Sequence, residues 1–207
     1  PDSSEVWLNS GSKLIYPERF TTAGRKVSLE GEAYFKVSSD INNRFDVQTL
    51  DGLTVSAYGT EFNVNAYAEE SVIKATLAKG NIRITQPDSQ ISKDIVPGEQ
   101  VVYSSMDKNM EVRKVNLLVE TGWKDGMMVF RRTPLNEIAQ KLSRHFNVDI
   151  ELKNKELYKY TYSATFTTET LVEILSLLEK TAPIRCDIVE PEQQDDFAYT
   201  RKKIIIH

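Results

Sequence analysis

From residue 5 to about residue 114, apolar and polar residues alternate with period two. Segments such as VSLEGEAYFKV (27–37), LTVSAY (53–58), EFNVNAY (61–67) and VIKATL (72–77) are short and rich in Val, Ile, Tyr, Phe and Thr. Turn residues separate them: Pro17, Gly24, Asn42–Asn43, Asp51–Gly52, Gly80–Asn81, Pro87–Asp88 and Pro97–Gly98. This spacing predicts an all-β sandwich, barrel or coiled sheet, with Asp51–Gly52 the best two-residue hairpin turn. In VSLEGEAYFKV the odd positions Val27, Leu29, Gly31, Ala33, Phe35 and Val37 form an apolar face. Glu30 and Glu32 share the other face, about 6–7 Å apart at the rise of a strand. Paired carboxylates can do acid–base chemistry, but such pairs flank a substrate from opposite sides, whereas these point the same way. The expectation is a solvated strand face.

The parity slips once. Val55, Ala57 and Gly59 hold odd positions, whereas Phe62, Val64 and Ala66 hold even ones. A bulge or corner at Gly59–Thr60–Glu61 accounts for the slip, glycine being the residue that tolerates it.

After about residue 122 the period changes, and an internal repeat emerges. MVFRRTPLNEIAQKLSRHFNVDI and ATFTTETLVEILSLLEKTAPIRC align with an offset of 36 residues. The offset matches Phe130 with Phe166, Leu135 with Leu171, Ile138 with Ile174, Leu142 with Leu178, Val148 with Ile184 and Ile150 with Cys186. Each copy reads strand, helix, strand, with one apolar helical stripe facing a sheet. Thr133 suits an N-cap with Pro134 at the first helical position, and Asn147 and Pro183 suit the chain just past each helix. RKKIIIH adds a final strand. The fold class is therefore α+β. An all-β domain (1–114), a coiled sheet or sandwich of many short strands, is followed by a linker (115–122) and a small domain of two βαβ repeats (123–207).

Composition narrows the chemistry. Of 207 residues, 40% are hydrophobic and 27% charged, enough for ordinary cores, and the formal net charge is −4. No basic run neutralises a phosphate backbone, so nucleic-acid binding is not expected. The single cysteine, Cys186, excludes an internal disulfide, and its apolar neighbours Ile184 and Ile188 suggest a buried thiol. Two histidines, His145 and His207, leave little material for a metal site or a Ser–His pair. His145, in the last turn of its helix, suits a cap. No apolar run reaches the roughly 20 residues of a membrane helix. The chain opens on Pro1, as an excised part of a longer protein would. Tyr158, Tyr160 and Tyr162 alternate as on one strand face; they either anchor a partner or cover the domain's own sheet.

Several segments in fixed order carry a family resemblance. VWLNSGSKLIYP, VSLEGEAYFKV, RFDVQT, VSAYGTEFNVNAY and VPGEQ together resemble the FecR family of transmembrane anti-sigma regulators. GWKDGMMVF…PLNEIAQKLSRHFNVDIEL, followed by Leu171-Val-Glu-Ile-Leu, resembles the C-terminal domain common in its Bacteroidetes branch, which is similar to the secretin/TonB short N-terminal fold. Ser3 departs from the pattern, where the family often has glycine in an Asp-Gly turn. The resemblance implies a periplasmic sensor of a single-pass inner-membrane protein, its membrane and sigma-binding segments lying before Pro1. The implied partners are the N-terminal signalling domain of a TonB-dependent outer-membrane transporter and, through the cytoplasmic segment, an extracytoplasmic-function sigma factor. No catalytic residue, cofactor or small-molecule substrate is expected. The competing reading is a carbohydrate-binding or carbohydrate-active envelope module, for which Trp7 and Trp123 are the only tryptophans. Docking by strand addition would use an exposed sheet edge. The expected contact residues are Tyr158, Tyr160, Tyr162, Lys202, Lys203 and Ile204, on the strands around 160–165 and 202–206.

Overall fold

The computed structural model describes residues 1–21, 24–193 and 199–207. The chain divides into two compact units, Pro1–Asp125 and Gly126–His207.

The first unit contains eleven strands: β1 (Glu5–Leu8), β2 (Lys13–Ile15), β3 (Arg25–Lys36), β4 (Phe45–Thr49), β5 (Thr54–Ala57), β6 (Glu61–Ala66), β7 (Val72–Lys79), β8 (Ile82–Thr85), β9 (Ser92–Ile95), β10 (Glu99–Ser104) and β11 (Asn109–Lys114). They form one coiled sheet in the order β11-β10-β7-β6-β3-β4-β5-β8-β9, with β1 and β2 also paired to β3. The twelve-residue β3 belongs to both arms of this sheet. Its first half pairs with β2 and runs parallel to β4, and its second half pairs with β1 and β6. Val27, Leu29, Phe45, Val47, Val55 and Ile84 from one arm join Ala33, Phe35, Phe62, Val64, Leu77 and Val101 from the other in one buried cluster.

The parity slip is a corner. β5 lies in one arm and β6 in the other, and Gly59 joins them at φ 146°, where a Cβ would stand 2.8 Å from Ser39. The Asp51–Gly52 turn differs from the two-residue expectation. Thr49 N donates to Leu53 O (3.0 Å), which makes Leu50–Gly52 a three-residue loop with Gly52 at φ 82°.

Residues 115–122 are not a free linker. After Asn116, which caps it through Leu118 N, α1 (Leu117–Thr121) forms and continues as a 3₁₀ turn, Gly122–Asp125. This strap counts with the first unit because its side chains are bonded to the sheet. The fully buried Gln100 donates to Thr76 Oγ1 (2.7 Å) and Glu120 Oε2 (2.9 Å) and accepts from Arg113, while Trp123 Nε1 donates to Asn63 Oδ1 (3.2 Å).

The second unit holds β12 (Met128–Pro134), α2 (Leu135–Phe146), β13 (Asp149–Leu152), a 3₁₀ turn (Lys155–Lys159), β14 (Thr161–Phe166), α3 (Leu171–Thr181), β15 (Cys186–Val189) and β16 (Lys203–Ile206). Both repeat copies are present. Phe130 and Phe166 meet edge to face at 6.0 Å, and Leu135, Ile138, Leu142 and Val148 share a buried cluster with Leu171, Ile174, Leu178 and Ile184. The two strands of each copy lie in different sheets. β12 pairs antiparallel with β14, whereas β13 and β15 flank β16 in a three-stranded sheet.

The helix starts are not equivalent. Thr133 stays in β12 and accepts from Arg131 N, so Pro134 is the uncapped N-cap of α2. A proline N-cap lacks the side-chain acceptor that the expected threonine would supply. In the second copy Thr170 and Glu173 form a full capping box. Replacing Thr170 with alanine should cost about 1 kcal/mol, read as faster amide exchange confined to α3. Asn147 ends α2 in the left-handed region at φ 52°.

Candidate functional site

Glu30 and Glu32 do not form a carboxylate pair on an open face. Glu30 is exposed opposite Lys13, as expected, but Glu32 is 8% exposed. Its oxygens accept from Asn9 Nδ2 (2.7 Å) and Asn63 Nδ2 (2.8 Å), and Asn63 in turn accepts from Trp123. Beside it Tyr34 donates to Glu61 Oε2 (3.0 Å), packs edge to face on Trp7 and lies under Lys124 Nζ (5.1 Å from its ring). Burial, then Glu61, pushes the Tyr34 hydroxyl well above its usual range. The pattern of alternation was read correctly, but period two cannot show that a strap further along the chain returns to cover the second face. Trp7 and Trp123 are both committed to this covering.

In the second unit the expected contact residues separate. Tyr158 lies in the 3₁₀ turn and is 47% exposed, apart from the strand. Tyr160 and Tyr162 follow the alternation and lean with Ala164 on the buried cluster. Burial, then Cys186 and Tyr160, raises the Tyr162 hydroxyl, which is buried without a hydrogen-bond partner among the described residues. The Cys186 thiol is half-buried and pushed up to about 11 by burial, then by Glu179 and Asp187.

The strand of Lys202, Lys203 and Ile204 is not an edge. β16 is hydrogen-bonded on both sides, Ile204 is fully buried, Lys203 pairs with Glu151 (2.7 Å) and Lys202 with Glu190 (3.0 Å). Its faces alternate, Ile204 and Ile206 buried and Lys203 and Ile205 half-buried, but both of its edges are paired. A proline at Lys203 would therefore disrupt the fold rather than report on docking.

The edges differ in how they are protected. Natural sheets guard edges with charge, proline or bulges. Edge strands β1, β2, β9, β11, β13 and β15 all carry charged residues, among them Glu5, Lys13, Lys93, Arg113, Glu151 and Asp187. β12 carries Arg131, Arg132, Pro134 and a register break between Phe130 and Thr133. Among the described edge strands β14 alone, Thr161-Tyr-Ser-Ala-Thr-Phe166, has neither charge nor proline. Beside it a groove of about 390 Å³ is lined by Tyr162, Ala164, Phe166, by Leu177 and Leu178 of α3, and by Ala182 just past its end. The edge expected around 160–165 is therefore present, whereas the one expected around 202–206 is not.

The first unit matches the family description "FecR protein" over residues 1–83, and the second matches "FecR, C-terminal" over residues 127–193. A crystal structure at 1.65 Å of a candidate anti-sigma factor from Parabacteroides distasonis ATCC 8503 is 26% identical, with a TM-score of 0.85 over 100% of this chain and 91% of that one. A second structure at 2.50 Å, under the same description and from the same organism, gives a TM-score of 0.82 at the same identity and coverage. No protein with a curated description matches significantly. With both of the family's domains matched in order, this chain belongs to the FecR family of anti-sigma regulators.

Proposed function

We propose that this chain is the periplasmic sensor of a FecR-type anti-sigma factor. It receives a signal from the N-terminal signalling domain of a TonB-dependent outer-membrane transporter. The signal passes inward to an extracytoplasmic-function sigma factor through a segment outside this sequence. The observation that carries the reading is the succession of the two family domains, which supports a sigma-regulating role. No described helix is long and apolar enough to cross a membrane. The carbohydrate alternative would need exposed aromatic platforms, and both tryptophans are engaged within the first unit.

The reading makes a binding prediction. Calorimetry with the signalling domain of the transporter encoded beside this gene should show saturable one-to-one binding. Deleting the chain's coding region should uncouple a sigma-dependent reporter from transporter loading. Absence of binding to every transporter signalling domain in the genome would refute the proposed relay.

A further inference from the structure

The repeat supplies an internal comparison for the groove beside β14. Across the offset of 36 residues, Leu177 corresponds to Lys141 and Ala182 to Phe146. In the first copy both positions are filled: Lys141 Nζ lies 5.9 Å from the Phe130 ring, and Phe146 packs on the core. In the second copy Leu177 stays 44% exposed and Ala182 is small, so the equivalent space is open and apolar.

Among the described residues no strand pairs with β14 on this side. Tyr160 O accepts from Leu135 N, and Ala164 O is also turned toward β12, where it meets Arg131 Nη1. Strand alternation therefore turns the N–H and C=O groups of Thr161, Ser163 and Thr165 to the open edge. The buried Tyr162 hydroxyl has no hydrogen-bond partner among the described residues. Arg131 and Arg132 stand at the bulge opposite Ser163, Arg132 at φ 50°, and neither has a carboxylate partner among the described residues. Both stand on β12, and Arg131 reaches across β14 to Thr165 Oγ1 (3.5 Å), so in a chain of net charge −4 its guanidinium offers a partner to a carboxylate on an added strand.

We propose that the open edge of β14 and the groove toward α3 receive an extended strand of a partner protein. That strand is uncharged where it pairs, inserts an apolar side chain beside Leu177 and Ala182, and places a carboxylate at Arg131 and Arg132. The proposal rests on the docking reading above only in requiring a protein partner; it does not require the partner to be a transporter.

The test uses the full chain, labelled with ¹⁵N, and capped octapeptides of alternating threonine and valine with one aspartate at either end, or lysine in its place. The amide signals of Thr161, Ser163 and Thr165 should shift saturably with an aspartate peptide. L177K/A182F, which reproduces the filling of the first copy, should weaken binding at least tenfold with α3 still protected from exchange. L177K alone, at an exposed position, should weaken it in the same direction and serves if the double variant loses that protection. R131E/R132E should reverse the preference from aspartate to lysine peptides. Failure of every peptide to shift those amides overturns the proposal, as does unchanged affinity in the L177K variants. Self-association of the chain that L177K abolishes would make a second copy the occupant and overturn it too. Peptide binding without transporter binding would leave the groove standing and remove the relay. Transporter binding with no peptide shift at those amides would leave the relay standing and remove the groove.

Discussion

Gly31→Ala is expected to destabilise the first unit by roughly 3 kcal/mol, from about 1–2 for the left-handed backbone and about 1–3 for overpacking. Gly31 sits at φ 93° in the middle of β3, at the point where the strand passes from one arm of the sheet to the other. A Cβ there would lie 2.8 Å from Ser12 Cα and 2.4 Å from Ser12 Oγ. Ser12 cannot retreat without cost, because its Oγ accepts from Glu32 N at 2.8 Å. In a unit of this size the melting transition should fall by about 10 °C. Gly11→Ala is the internal control: Gly11 has φ 71° but open space around its Cβ position, so only backbone strain applies. Equal losses in the two variants would show that the approach of Ser12 imposes no constraint.

Asp2→Asn should cost about 3 kcal/mol at neutral pH, because it leaves a buried cation without its counter-charge. Arg25 is 2% exposed; its Nη1 donates to Asp2 Oδ2 (2.6 Å) and Ser38 O (2.8 Å), and its Nε donates to Asn43 O (2.9 Å). Asp2 also accepts from Ser4 N and Oγ, and Ser4 Oγ accepts from Ser38 N, so the pair pins the N-terminal segment to the end of β3. Burial alone would raise the Asp2 carboxyl, but the Arg25 and Ser4 hydrogen bonds outweigh it and hold the group below the usual carboxylate range. A folded-state pKa below the unfolded value of about 3.9 gives stability that is present above that pH. It is lost as pH falls through the lower folded value. Urea denaturation of wild type and variant should therefore show a gap at pH 7 that narrows below pH 4. A gap that stays constant with pH would show that the charge of Asp2 contributes nothing.

Residue 3 shows how a local departure is absorbed. Ser3 occupies φ 64°, the backbone region for which glycine is the usual choice, so the turn persists without the glycine. The same separation of local and distant causes runs through the molecule. The repeat was legible because a helix stripe and its flanking strands recur at one offset, and Phe130 and Phe166 do meet. The cap of α2 was misplaced by one residue, because Thr133 bonds back to the β12 bulge instead. Of the two strands expected at an exposed edge, around 160–165 and 202–206, one is there. β14 is an edge, whereas β16, equally strand-like, is central.

The sequence by itself determined the main strands and the two helices of the repeat, their core-facing stripes, the two-part organisation and the family. These follow from periodicity, turn chemistry and motif order, all local along the chain. Only the tertiary structure decided that Glu32 is enclosed, that residues 117–125 form a strap over the first sheet, and that β14 is open while β16 is flanked on both sides. Each depends on which distant segment pairs with which edge or covers which face. An alternating pattern fixes what a strand's faces require but leaves its neighbours unspecified.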